Sequence, residues 1–349
     1  MNLPTTDNDT WNVLGVGAYG VIVSRKDSTT CRKIFTRDRA FSFIRESYII
    51  KRLSHISGIT EIINLDTPTH EDIEIVKAQT SYFSKRDHNC CWGVLVMKRY
   101  QMTLGDWLRS RPTYDDRIAI LTKIIRIMAD VHNNGVIHAD IKLENIMLTE
   151  TGDVKVIDWG LSGSRGSACI YGTTRTYRPK TITQDFCHDI YALGVLSVEL
   201  VLGSVMINAP EYGACLRLLD SVTMESKLRK LIIKMLHPDC YMRPDINEVA
   251  QSFGIQTSVT SPPPSSLVSL PILNKHYNEM CAHTRKSFNL FGDMIYPVHF
   301  KLFLDEYPEM AVTVVCVLIA LYHSGTITKT SDLLKYVNYT HVCTLIDFI

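Results

Sequence analysis

The chain has 349 residues, enough for about two average domains and a large buried core. Its 37 lysines and arginines nearly balance its 36 aspartates and glutamates, which argues against a nucleic-acid partner or an anionic membrane surface. The N-terminus lacks the features of a signal peptide, and the longest apolar run, Met310 to Tyr322, is too short to span a bilayer. We therefore expect an intracellular protein, cytoplasmic or nuclear, with mostly reduced cysteines.

Strands are predicted early in the chain. Residues 11–35 and roughly 73–100 contain segments rich in Val, Ile and Tyr, which are typical of strands. Between them, residues 39–54 have the apolar spacing of a helix.

Helices are predicted to dominate from Leu104 onward, for example at 117–135 and 189–203. An exception is 146–158, where Gly152 and Asp153 suit a hairpin turn. Residues 256–271 are rich in Pro and Ser and predict a linker, and residues 272–349 predict a small helical module.

A glycine cluster, LGVGAYGVIV, lies near the start of the chain, where Gly15, Gly17 and Gly20 form a GxGxxG pattern. Apolar residues on both sides predict a hairpin rather than a strand-to-helix turn, which argues against a dinucleotide fold. Such a hairpin can lay backbone N–H groups over phosphates, although a plain β-turn would also explain the glycines. The candidate phosphate-binding residues are Leu14, Gly15, Val16, Gly17, Ala18, Tyr19, Gly20, Val21 and Ile22.

Lys33 lies on the strand predicted to follow this hairpin. In the helix after it, Phe43, Glu46, Ile50 and Leu53 recur at helical spacing, which places Glu46 on the apolar face. An unpaired buried carboxylate is costly, so we expect Glu46 to pair with Lys33. The alternative is a solvated strand lysine.

The stretch GVIHADIKLENIMLTETGDVKVIDWG, residues 135–160, concentrates polar side chains. Together with the glycine hairpin and Lys33, it resembles the eukaryotic-type serine/threonine protein kinase family, whose HRDLKxxN motif reads HADIKLEN here and whose DFG motif reads DWG. The resemblance runs from about Trp11 to Phe253. It implies an α+β fold of two lobes, a β-rich N-lobe at about 11–100 and a helical C-lobe at about 101–253, followed by the small helical module.

The resemblance also implies a reaction, the transfer of the γ-phosphate of ATP to serine or threonine hydroxyls of protein substrates, with Mg²⁺. Asp140 would be the catalytic base, and Lys142 would place positive charge beside the transferring phosphoryl group. Asn145 and Asp158 would supply oxygen ligands to Mg²⁺, and Lys33, held by Glu46, would contact the α- and β-phosphates.

Further positions match the family by resemblance. Met97 would be the gatekeeper, with backbone groups of Lys98 to Tyr100 facing adenine, although an ordinary edge strand is the alternative here. Thr174 and Tyr177 resemble the loop where a substrate peptide docks. Asp189 resembles the carboxylate that ties the catalytic-loop backbone in place, and it also suits a helix N-cap.

Departures from the family pattern suggest a divergent kinase, and we expect an origin in a large DNA virus. Ala139 replaces the catalytic-loop Arg, Trp159 replaces the metal-loop Phe, and Pro179, Lys180 and Thr181 stand where the family has Ala-Pro-Glu. Because that Glu pairs with a buried Arg in the family, Arg243 must find another partner here or face water.

Two alternatives to a protein kinase remain open. One is a pseudokinase scaffold that binds a partner through its C-terminal module, and the other is a kinase of a small metabolite. Intact Lys33, Asp140, Asn145 and Asp158 argue against the first, and the resemblance around Thr174 argues against the second. In the module, VTVVCVLIALYHSG faintly resembles a cyclin-type helical repeat, while a helical extension packed on the large lobe is the simpler interpretation.

Overall fold

The computed structural model describes residues 11–17, 20–36, 39–79, 91–163, 174–179, 185–206 and 212–256. The chain divides into two compact units, which we call the strand-rich unit (described residues of 11–48 and 62–97) and the helix-rich unit (described residues of 49–61 and 98–256). The predicted linker beyond Gln256 and the predicted helical module lie outside the described residues.

A five-stranded sheet in the order β1-β2-β3-β5-β4 forms the strand-rich unit. Its strands are β1 (Trp11–Gly17), β2 (Gly20–Arg25), β3 (Thr30–Thr36), β4 (Ile62–Asp66) and β5 (Cys91–Lys98). Two helices accompany it, α1 (Ala40–Arg52) and α2 (His70–Gln79). The predicted helix at 39–54 is therefore confirmed as α1.

Helix α2 overturns part of the strand prediction at 73–100. The sequence Ile73-Glu74-Ile75 alternates like a strand, but the segment is helical and its Val76 is completely buried. This side chain packs in a cluster on the sheet with Val21, Val23, Ile34 and Val94. Burial against the sheet outweighs the weak local preference.

Helices dominate the second unit, as predicted. They are α3 (Leu104–Arg109), α4 (Tyr114–Asn133), α5 (Cys187–Leu202), α6 (Tyr212–Asp220), α7 (Ser226–Met235) and α8 (Ile246–Ser252). Every residue of α5 from His188 to Val201 is buried, so this helix forms the centre of the unit. Among the described residues, no helix combines the length and apolar character needed to cross a bilayer.

A small second sheet, in the order β6-β7-β8, carries the predicted hairpin. Its strands are β6 (Met102–Thr103), β7 (Ile146–Leu148) and β8 (Val154–Val156). The turn between β7 and β8 contains Gly152 at φ +74°, a conformation that glycine adopts without strain.

The loop between α1 and β4 is anchored on β8 within the helix-rich unit. Thr60 donates its N–H to the carbonyl of Val156 (3.1 Å), and Val156 donates to the carbonyl of Gly58 (2.8 Å). A Cβ atom at Gly58 would overlap the side chain of Ile127 on α4. The loop therefore lies directly on α4, as close as a glycine allows.

Candidate active site

The glycine cluster forms the predicted hairpin, because β1 and β2 pair antiparallel and Gly17 lies opposite Gly20. Gly20 has φ +152°, and a Cβ atom there would overlap the carbonyl oxygen of Ile34 on β3. Leu14 and Val16 are exposed on β1, while Val21 is buried. Of the predicted phosphate-binding residues, Ala18 and Tyr19 lie outside the described residues.

Lys33 and Glu46 form the predicted ion pair between β3 and α1. The Lys33 ammonium donates to both carboxylate oxygens of Glu46, at 2.9 and 2.7 Å. Lys33 is 5% exposed and Glu46 is completely buried, so each charge depends on the other for its stability. The solvated-lysine alternative is therefore wrong.

Met97 and Tyr100 are both buried. Met97 pairs with Ile62 of β4, and since β5 lies between β3 and β4, the edge-strand alternative is wrong. The N–H of Lys98 donates to the carbonyl of Glu61 (3.0 Å), and the Tyr100 hydroxyl accepts from the N–H of Glu61 (3.1 Å). These contacts fix the backbone directly after β5.

The Asp140 carboxylate is 8% exposed and lies at the centre of a cluster of hydrogen-bonded side chains in the helix-rich unit. One oxygen accepts from the N–H and the hydroxyl of Thr174, at 3.0 and 2.9 Å. The other accepts from the Lys142 ammonium at 2.6 Å and from the Asn145 amide at 3.1 Å. Lys142 also donates to the Thr174 hydroxyl at 3.0 Å, so a carboxylate, an ammonium and a side-chain hydroxyl meet at one point.

Asn145 and Asp158 offer the oxygen donors that a hard cation requires. The Asn145 amide nitrogen is used in hydrogen bonds to Asp140, which orients its carbonyl oxygen away from that carboxylate. Asp158 is partly exposed and has φ +63°. No group of three or more His, Cys, Asp or Glu side chains forms a metal cluster in the described part of the chain. A two-donor set fits Mg²⁺, which usually keeps several water or phosphate ligands.

Asp189 holds the backbone just before Asp140. It is completely buried and accepts the N–H groups of His138 (2.7 Å) and Ala139 (2.9 Å) and the imidazole of His132 (2.9 Å). Burial would raise the pKa of Asp189, but the hydrogen bond and charge of His132 hold that pKa below its ordinary value. The carboxylate stays ionised and holds Ala139 at φ +70°.

The N-cap interpretation of Asp189 is wrong. Helix α5 begins two residues earlier, at Cys187, so Asp189 lies in its first turn.

Trp159 fills a buried position beside the catalytic loop. It is completely buried, its indole N–H donates to the carbonyl of Val156 (3.2 Å), and its ring lies 4.5 Å from the ring of His138. The large apolar side chain packs as expected of a residue replacing Phe.

Tyr177 and Glu199 form a contact that the sequence did not indicate. The Tyr177 hydroxyl donates to Glu199 at 2.6 Å and accepts from the N–H of Leu143 at 3.4 Å. Met206 donates its N–H to the other carboxylate oxygen at 2.8 Å. Burial raises the pKa of Glu199 to about 7. A glutamate within the apolar run of α5 was the available signal.

Arg243 finds its partners in backbone carbonyls. It donates to the carbonyls of His237 (2.8 Å), Cys187 (2.8 Å) and Pro238 (3.1 Å), and its guanidinium lies 5.0 Å from the ring centre of Tyr191. Burial lowers the pKa of Arg243, and these carbonyls compensate for the lost water. Lys180 and Thr181 lie outside the described residues.

The family model of the protein kinase domain matches residues 9–253, about 70% of the chain. The chain belongs to the protein kinase family. As a member of this family it has the two-lobed fold, with a β-sheet lobe and a helical lobe. This family generally uses Mg²⁺ with ATP.

Individual kinases are similar at low identity. The mitogen-activated protein kinase spk1 of Schizosaccharomyces pombe is 24% identical over 232 residues, covering 60% of this chain and 58% of the relative. Mitogen-activated protein kinase 12 of Rattus norvegicus is 25% identical over 226 residues, covering 60% and 57%. A probable serine/threonine-protein kinase of Clostridium perfringens is 33% identical over 195 residues, covering 51% and 27%. This chain thus spans little more than half the length of the two mitogen-activated protein kinases and about a quarter of the length of the Clostridium perfringens protein.

Proposed function

We propose that this protein kinase is catalytically active and transfers the γ-phosphate of ATP to serine or threonine hydroxyls of protein substrates. The observation that carries the proposal is the set of contacts around Asp140. Its carboxylate accepts from the Thr174 hydroxyl at 2.9 Å, while the Lys142 ammonium lies 2.6 Å from the other oxygen. A carboxylate that accepts one side-chain hydroxyl beside a cation can accept the hydroxyl of a substrate in the same way.

Each residue then has a role. Asp140 orients the acceptor hydroxyl and takes its proton, and Lys142 stabilises the negative charge that spreads over the phosphoryl oxygens in the transition state. Asn145 and Asp158 would hold Mg²⁺, which neutralises the polyphosphate when bound. Lys33, fixed by Glu46, would contact the α- and β-phosphates.

The remaining contacts to ATP belong to the strand-rich unit and to the residues after β5. The glycine hairpin, residues 14–22, would cover the phosphates with backbone N–H groups, and Met97 and Tyr100 would contact adenine. We assign the catalytic domain to residues 11–253 and a linker to 256–271. Residues 272–349 would form a module that binds a regulatory partner.

The test is transfer of radiolabelled phosphate from ATP to a generic protein, followed by phosphoamino-acid analysis. Asp140→Asn should reduce transfer by roughly 10³-fold or more while ATP still binds, because the base acts on the acceptor rather than on the nucleotide. Glu150→Gln, an exposed carboxylate in the turn between β7 and β8, is the control and should keep full activity.

Three results would contradict the proposal. Undiminished transfer by Asp140→Asn would remove the assigned base. A wild-type chain that binds ATP without transferring phosphate would favour the pseudokinase, and a label found on a small metabolite but on no protein would favour the metabolite kinase.

A further inference from the structure

Helix α2 buries an acidic residue against the sheet of the strand-rich unit. It lies between β4 and β5 in the chain and packs Val76 on one face of the sheet. Four residues earlier, Asp72 is only 1% exposed. A carboxylate this deeply buried requires charged or hydrogen-bonding partners.

Arg32 of β3 supplies the cation that Asp72 requires. Its Nε donates to one carboxylate oxygen at 3.2 Å, and its Nη2 donates to the other at 2.8 Å. Thr69 adds its N–H and its hydroxyl, each 2.8 Å from Asp72 Oδ2. The third guanidinium nitrogen of Arg32, Nη1, donates to the carboxylate of Asp66 on β4 at 2.7 Å. The paired geometry fixes both position and orientation of the guanidinium.

Arg32 directly precedes Lys33 on β3, and successive side chains of a strand point to opposite faces. Arg32 lies opposite Val23 and Lys33 lies opposite Ile22 in the pairing of β3 with β2. Arg32 therefore shares the α2 face with Val23, while Lys33 reaches Glu46 of α1 on the other face. Two neighbouring residues of β3 are thus held by ion pairs to two different helices.

The contacts of Arg32 extend to β1 as well. The Arg32 guanidinium lies 5.8 Å from the ring centre of Trp11, and that of Arg25 lies 4.9 Å from it. Movement of α2 would therefore disturb β1, β3 and β4 together.

We propose that Asp72 is a positioning residue for Lys33, acting through Arg32 to fix β3 from the face opposite α1. The inference rests on the proposed function, because it requires Lys33 to contact the phosphates of ATP. Loss of the paired hydrogen bonds allows β3 to shift, and small misplacements of a phosphate-binding group weaken binding strongly. Adenosine has no phosphate, so its binding does not depend on the position of Lys33.

The test compares ATP with adenosine binding to the full chain by calorimetry. Asp72→Asn should bind ATP, in the presence of Mg²⁺, roughly 3- to 10-fold more weakly and should bind adenosine as well as wild type. Asp27→Asn, the same change at an exposed carboxylate in the turn between β2 and β3, is the matched control and should leave both affinities unchanged. In a Lys33→Met background, Asp72→Asn should cause no further loss of ATP affinity.

Arg32→Lys provides a second variant in case Asp72→Asn folds poorly. It keeps the cation but loses the fork, and the same selective loss of ATP affinity is expected. Equal losses for ATP and adenosine, unchanged ATP affinity, or a full additional loss in the Lys33→Met background would overturn the inference while leaving the proposed function intact. A wild-type chain that binds adenosine but gains nothing from the phosphates of ATP would overturn both.

Discussion

Glu199 should make the stability of this kinase depend on pH between 5 and 8. Its carboxyl is completely buried, and burial raises its pKa to about 7 from the ordinary value of 4.5. Between these two pH values the native chain keeps a proton that the unfolded chain has lost. The contribution of Glu199 to the free energy of unfolding therefore falls as the pH rises from about 4.5 to about 7, and this contribution is level above that range.

The size of the effect follows from the shift. One pKa unit corresponds to about 1.4 kcal/mol, so the whole difference amounts to roughly 3 kcal/mol. Because part of the loss occurs below pH 5, the change between pH 5 and pH 8 should be about 2 to 3 kcal/mol. This is a large fraction of the stability of a typical domain.

Glu199→Gln isolates this contribution, because glutamine has a similar shape and does not titrate. Urea unfolding at pH 5, 6, 7 and 8 should show the wild-type free energy of unfolding falling by about 2 to 3 kcal/mol more than that of the variant. Tyr177→Phe is a useful companion. The Tyr177 hydroxyl bond lowers the pKa of Glu199, so its removal should raise that pKa further and extend the fall to higher pH.

Parallel stability curves for wild type and Glu199→Gln would refute this reasoning, because they would mean that Glu199 is ionised throughout the range. Glu150→Gln, an exposed carboxylate, controls for the change of charge and should follow wild type at every pH.

Two further predictions concern the helix-rich unit. Gly58→Ala should lower the free energy of unfolding by roughly 1 to 3 kcal/mol in urea, because its Cβ would overlap Ile127. Gly105→Ala has room for a Cβ and should leave stability unchanged, so equal stability of the two variants would contradict the packing. Phosphatase treatment of bacterially expressed protein should leave the initial rate of phosphate transfer within about twofold, because Ala139 replaces the Arg whose charge a phosphate on the activation segment (here between Asp158 and Thr181) neutralises in the family. A rate that collapses on treatment and returns on autophosphorylation would contradict this.

The Lys33–Glu46 ion pair could be predicted from the sequence, because local patterns determine it. Helical spacing placed Glu46 on the buried face of α1, and the cost of an unpaired carboxylate identified Lys33 as its partner. The strand prediction for 73–79 was wrong. Ile73 and Ile75 alternate as in a strand, but the secondary structure of this segment depends on its packing against strands that are distant in the sequence. The partners of Arg243 could not be predicted either, since backbone carbonyls leave no signal in the residue types.

Helix α5, which is buried from His188 to Val201, carries one buried carboxyl near each of its ends. Asp189 in its first turn and Glu199 ten residues later are about 15 Å apart along the axis. Both are completely buried, yet the pKa of Asp189 is lowered and that of Glu199 is raised. The difference follows from their partners, because Asp189 has an imidazole and two N–H donors, whereas Glu199 has one hydroxyl, one N–H and no cation among the contacts described here. The Asp189 carboxyl, whose pKa is lowered, is therefore ionised at neutral pH and fixes the backbone before Asp140. The Glu199 carboxyl, which accepts from Tyr177, has its pKa raised to about 7. The carboxyl that holds the backbone before Asp140 and the carboxyl that makes stability depend on pH thus lie in different turns of the same helix.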